Sequence, residues 1–164
     1  MMRRSKFIVS LGAAALLLAG AAAWAHDNHQ DDNEEDEFPL AQAPAAVQET
    51  IRRVAGPAVP TELDKSTENG VVVYQGEYRV PGGENSIKVA ENGELLEVKK
   101  EMAANQLPAA VRNAVDKSIA GATIKKAGSV YLKGATSPSY YELKVAAGAR
   151  KKHIKVRPSG EIVS

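Results

Sequence analysis

An α+β fold of two tandem repeats, each an α-helix packed on an antiparallel β-sheet, is predicted by three features of the sequence. Short segments recur in fixed order along the chain. Each copy opens on a helical pattern. Each then switches to a period of two, broken by Gly-rich turns. Pro44-Ala45-Ala46-Val47 returns as Pro108-Ala109-Ala110-Val111, and Ala55-Gly56 as Ala120-Gly121. Glu77-Tyr78-Arg79-Val80 is echoed by Glu142-Leu143-Lys144-Val145, and Ile87-Lys88-Val89 returns as Ile154-Lys155-Val156. Gly93-Glu94-Leu95 is echoed by Gly160-Glu161-Ile162. The offset drifts from 64 to 67 residues, and the drift falls where loops belong.

Pro44 and Pro108 suit the first turn of a helix, where a missing N–H costs nothing. Val47, Ile51 and Val54 share one helical face, as do Val111, Val115 and Ile119, and Gly56 and Gly121 read as helix stops. In the first copy a strand is expected over Val71–Val80, a turn at Pro81-Gly82-Gly83, and a return strand over Ser86–Ala90. Asn92-Gly93 makes a tight turn before a last strand over Glu94–Val98. The second copy predicts strands over Thr123–Lys133, Tyr140–Val145, Lys151–Arg157 and Glu161–Val163. Tyr74, Tyr78 and Tyr141 are expected in the cores, and Tyr131 and Tyr140 at the surface.

The run from Leu107-Pro108-Ala109-Ala110-Val111 through Tyr140-Tyr141-Glu142-Leu143-Lys144-Val145 to His153-Ile154-Lys155-Val156 and Gly160-Glu161-Ile162 resembles the PepSY-like family. The first copy resembles it too, through Pro44–Val47, Tyr74–Val80 and Ile87–Leu96, so the resemblance covers roughly residues 40–164. It implies an exported or envelope-associated protein without catalytic residues, whose relatives bind or inhibit peptidases. Some tandem versions resemble a β-lactamase-inhibitor protein.

Export is also read from the N-terminus. Arg3, Arg4 and Lys6 precede an apolar run from Phe7 to Trp24 that ends in the small-residue site Ala23-Trp24-Ala25. That order predicts a signal peptide over 1–25, with cleavage after Ala25, in preference to a retained transmembrane helix. A periplasmic or secreted location follows, with no membrane anchor after cleavage. Cysteine is absent, so disulfides, thiol chemistry and metal–thiolate sites are excluded.

Residues 26–37 read HDNHQDDNEEDE, with seven carboxylates and no apolar side chain, and are expected to be a disordered acidic tail. The repeats then occupy 38–101 and 102–164. His26, Asp27, His29, Asp31 and Asp32 are candidate ligands for weakly bound Cu or Zn, which would make the chain a metal-binding or metal-sensing protein. No other cofactor is expected.

The body offers no nucleophile, base and orienting group as a set, and its one histidine, His153, sits in a basic strand. An enzyme is the weakest reading. Charge divides the copies more clearly. Residues 38–101 carry seven basic and ten acidic side chains, and residues 102–164 carry eleven and three. With Ile154 and Val156 turned to the helix, Lys151, His153, Lys155 and Arg157 line the open sheet face, beside Tyr140, Glu142 and Lys144. These seven residues form the candidate partner-binding surface. It suits an envelope or secreted protein with an acidic surface, a peptidase among them, or an anionic envelope surface. Nucleic acid is disfavoured by export and by the lack of a binding motif.

Overall fold

A computed structural model of the chain describes residues 36–163. Eight strands form one antiparallel sheet in chain order: β1 (Asp36–Pro39), β2 (Glu62–Glu68), β3 (Val71–Val80), β4 (Gly83–Ala90), β5 (Leu95–Met102), β6 (Thr123–Leu132), β7 (Tyr140–Ala147) and β8 (Arg150–Val156). Helix α1 (Ala45–Ala55) lies between β1 and β2 in the chain, and α2 (Ala109–Ser118) between β5 and β6. Among the described residues the fold is therefore α+β, with two α-helices against one sheet.

The helices form where apolar residues recur at helical spacing. Val47, Thr50, Ile51 and Ala55 of α1 are buried, as are Val111 and Val115 of α2. Val47 and Ile51 join a core with Leu63, Tyr74, Ile87 and Val98. Val111 and Val115 join a second with Leu107, Leu143, Val145 and Ile154. Each fully buried Val, Leu or Ile adds about 1.5–3 kcal/mol over its exposed state. In a chain without cysteine these two cores carry the stability.

The same contacts recur in both halves. Gln48 Nε2 donates to the carbonyls of Ala41 (3.1 Å) and Ala43 (2.8 Å). Arg112 Nη1 donates to those of Asn105 (3.2 Å) and Leu107 (2.7 Å). Both pairs of bonds satisfy backbone oxygens just ahead of a helix whose proline supplies no side-chain cap. At the other end of each half a glycine of positive φ packs on the helix start. A methyl group at Gly93 (φ 87°) would lie 2.9 Å from the Ala46 carbonyl oxygen, and one at Gly160 (φ 89°) 2.8 Å from that of Ala110. The register repeats as well: Tyr74 pairs with Val89, and Tyr141 with Val156.

Several expectations are corrected. The two expected repeats share one sheet, because β5 pairs with β6 from Glu97–Leu132 to Met102–Ala127. The expected 101/102 boundary thus falls within β5. The acidic segment is not unstructured to residue 37, because Asp36 and Glu37 pair with Lys65 and Asp64 of β2. Strand β2 itself has no apolar alternation, since Leu63 is its one buried residue. Its signal is Asn69-Gly70, both at positive φ, the two-residue hairpin turn that leads into β3. Strands β4 and β5 extend beyond Ser86–Ala90 and Glu94–Val98, lengthened by their mutual pairing. Helix α2 ends at Ser118 with Ile119 already extended, so Gly121 is not its stop. Glu161–Val163 is not a strand, because only Ile162 bridges to Val156.

Candidate binding face of the sheet

Strand alternation sends every second side chain away from the helices. On that open face the register aligns Lys99, Val130 and Tyr140 in one row across β5, β6 and β7. The next row aligns Glu101, Gly128, Glu142 and Lys155, and a third Lys126, Lys144 and His153. Lys151 lies further along β8, opposite Ala146. Tyr140, Glu142, Lys144, Lys151, His153 and Lys155 therefore share the open face. Arg157 lies just past β8, and its guanidinium pairs with Glu161 (2.8 Å) instead of joining the others.

The face has an organised centre. Glu142 pairs with Lys99 across the width of β6, and with Lys155 at 3.5 Å on the adjacent strand. The Lys99 and Glu142 side chains are only 20% and 24% exposed. The Lys99 stem passes over Gly128, where a methyl group would touch Lys99 Cε at 3.4 Å, an ordinary van der Waals contact, and a larger side chain would stand in its path. Tyr140 donates to Glu97 Oε2 (3.2 Å), and the Lys155 ammonium stands 5.3 Å from the Tyr140 ring centre, within cation–π range. Beneath them Val130 is fully buried, although it faces away from the helices. Val71 (48% exposed) and Leu132 (44%) add apolar surface on the same face.

Burial raises the pKa of the Glu142 carboxyl, but the Lys99 hydrogen bond and charge, with Lys155, outweigh it and hold the group below the ordinary carboxylate range. Burial, the charges of Glu97 and Glu142, and the bond to Glu97 push the Tyr140 phenol well above its usual value. The centre thus sets an ionised Glu142 carboxylate beside a neutral Tyr140 phenol at neutral pH.

Lys99, Glu97 and Gly128 are not legible as site residues from local pattern, because they join the face only through β5–β6 pairing. For Glu97 and Lys99 the signal is the alternation Glu97, Lys99, Glu101 in a segment whose other parity holds Val98 and Met102, and Gly128 has none. Tyr131, expected at the surface, is half-buried on the helix side, with the Lys100 ammonium 5.1 Å from its ring centre. His26, Asp27, His29, Asp31 and Asp32 lie outside the described residues, as does the 1–25 segment. Among the described residues no group of three or more His, Cys, Asp or Glu could hold a metal ion. No helix among them is long and apolar enough to cross a membrane.

The architecture matches solved structures at low identity. A DUF2874-family protein from Bacteroides uniformis is 19% identical with a TM-score of 0.58, over 74% of this chain and 87% of that one. A BLIP-like (β-lactamase-inhibitor-like) protein from Bacteroides fragilis is 18% identical with a TM-score of 0.54, over 74% and 84%. A candidate periplasmic protein from Bacteroides eggerthii is 17% identical with a TM-score of 0.59, over 74% and 86%. These likenesses establish a BLIP-like fold. No protein-family model matches the chain, and no curated protein matches it.

Proposed function

We propose that this chain is an exported, non-catalytic module that binds a protein with an acidic surface through the open face of β5–β8. The observation that carries the reading is the Lys99–Glu142–Lys155–Tyr140–Glu97 cluster over buried Val130. A merely solvated sheet face gains nothing from long side chains held in fixed positions, because ordering them costs conformational entropy. A binding face gains, because that cost is met before the partner arrives. Inhibition of an envelope peptidase is the form of binding we favour, by analogy with the BLIP-like neighbour and with the PepSY-like resemblance. The N-terminal segment 1–25 and the candidate periplasmic neighbour support a periplasmic or secreted site of action. The recurring helix-start contacts support reading 38–101 and 102–164 as tandem PepSY-like repeats, with the basic second copy contributing most of the contact.

The test is capture of a partner from envelope extract, with identification of the protein held, by the wild type and by Tyr140→Ala with Lys155→Glu. Both residues are on the open face and outside the two cores. The reading predicts one acidic protein retained by the wild type and lost by the variant, with unchanged circular dichroism. Equal capture by both, or wild-type retention on anionic lipid vesicles alone, contradicts it.

A further inference from the structure

We infer that the outer edge of β8 receives the acidic segment 27–35 of a second copy of this chain as a ninth strand. The two halves differ at this edge. Strand β4 is paired from Asn85 to Val89 by β5. Its counterpart β8 has, among the described residues, only the Val156–Ile162 bridge and a bond from the Val163 N–H to the Lys155 carbonyl (2.8 Å) on that side. Arg150–Lys152 has no ladder partner there among the described residues. The Lys155 carbonyl and the Arg157 N–H both point outward, toward Val163 and Glu161. Backbone direction alternates along a strand, so Lys151 presents its own N–H and C=O outward too. An edge of this kind is a template for strand addition.

The chemistry of the edge selects the occupant. Arg150, Lys151 and Lys152 are all exposed. Lys151 stands on the open face, and Arg150 and Lys152 on the helix side. An added strand sends side chains to both faces, so its carboxylates must alternate as well. Residues 27–37 carry seven carboxylates and no apolar residue. They lead into β1, which lies at the opposite edge of the sheet. Seven inter-strand steps of about 4.8 Å separate the edges by about 34 Å along the sheet. Fully extended, segment 27–35 spans about 31 Å and would be consumed before pairing began. Along that path a segment of the same copy has no length left to pair, so the source inferred is a second copy. The contact joins two different surfaces, so each pair retains one open edge and one unused segment, and further copies can add.

Sedimentation velocity of the mature chain, residues 26–164, tests this. At low ionic strength its average mass should rise with concentration, and salt should reverse the rise. Deletion of 26–35 should abolish association, and so should Arg150→Glu with Lys152→Glu. Neither change touches the cores or the open face, so partner capture by that face should persist in both. Mixed together, the two variants should form one-to-one dimers and nothing larger, since one supplies the edge and the other the segment. A mixture that stays monomeric, or association by either variant alone, overturns the inference.

Discussion

Lys99 of β5 and Glu142 of β7 are ion-paired across the intervening strand, with the lysine stem lying over Gly128. The pair joins the more acidic half of the chain, 38–101, to the more basic half, 102–164. Both side chains are mostly buried, so the interaction is screened less than a surface ion pair. Lys99→Met and Glu142→Gln should each cost about 1–2 kcal/mol in denaturant unfolding, with a coupling energy near 1 kcal/mol in the double-mutant cycle. Additive costs would show that the pair is not a unit.

Gly128→Val should act on the same pair without touching either charge. The added side chain would occupy the path of the Lys99 stem, where even a methyl group meets Cε at 3.4 Å. It should remove the Lys99–Glu142 coupling energy while leaving both residues in place, as read by the same cycle repeated in the Gly128→Val background.

The carboxyl of Glu142 is held below its ordinary range in the fold. A depressed folded pKa gives stability that is fully present above the unfolded value, about 4.3, and is lost as pH falls through the folded value. Wild-type stability should therefore drop on acidification through that window. Glu142→Gln should flatten this acid limb, as measured by urea midpoints across pH.

The Tyr140 phenol is displaced the opposite way in pH. Its raised folded pKa means that the neutral phenol's contribution is present below the unfolded value, about 10, and is lost as pH rises through the folded one. Burial raises the Tyr78 and Tyr141 phenols as well, so ultraviolet titration should show several late tyrosines, and the latest of them should be lost in Tyr140→Phe.

Much of the fold is written locally, and the rest depends on distant partners. The helix faces of Val47 and Ile51 and of Val111 and Val115 follow from spacing alone, as does the shared face of Tyr140, Glu142 and Lys144. Strand β2 is different: its residues Glu62–Glu68 hold a single apolar anchor, and only pairing with β3 makes them a strand. The union of the halves into one sheet depends on β5 meeting β6, and no local pattern encodes that contact. Lys99 belongs to the face for that reason alone. The basic strip read from the sequence is also partly neutralised: Glu142 engages two lysines and Glu161 engages Arg157.

The repeated glycines offer a test of the helix-start packing. Gly93→Ala and Gly160→Ala should each cost about 2 kcal/mol or more, from left-handed strain together with close approach to a helix carbonyl. Gly134→Ala, with φ 74° and nothing within 4 Å of the added methyl, isolates the strain and should cost about 1 kcal/mol. Equal losses at all three positions would mean that the packing contributes nothing.

The central claim is that the open face between β5 and β8 meets the partner. A photo-crosslinking amino acid placed at position 140 on that face, and separately at position 49 on the exposed side of α1, tests it in the envelope itself. Binding through the open face should give a discrete crosslinked protein from position 140 and none from position 49. A product from position 49 with none from position 140 would contradict it.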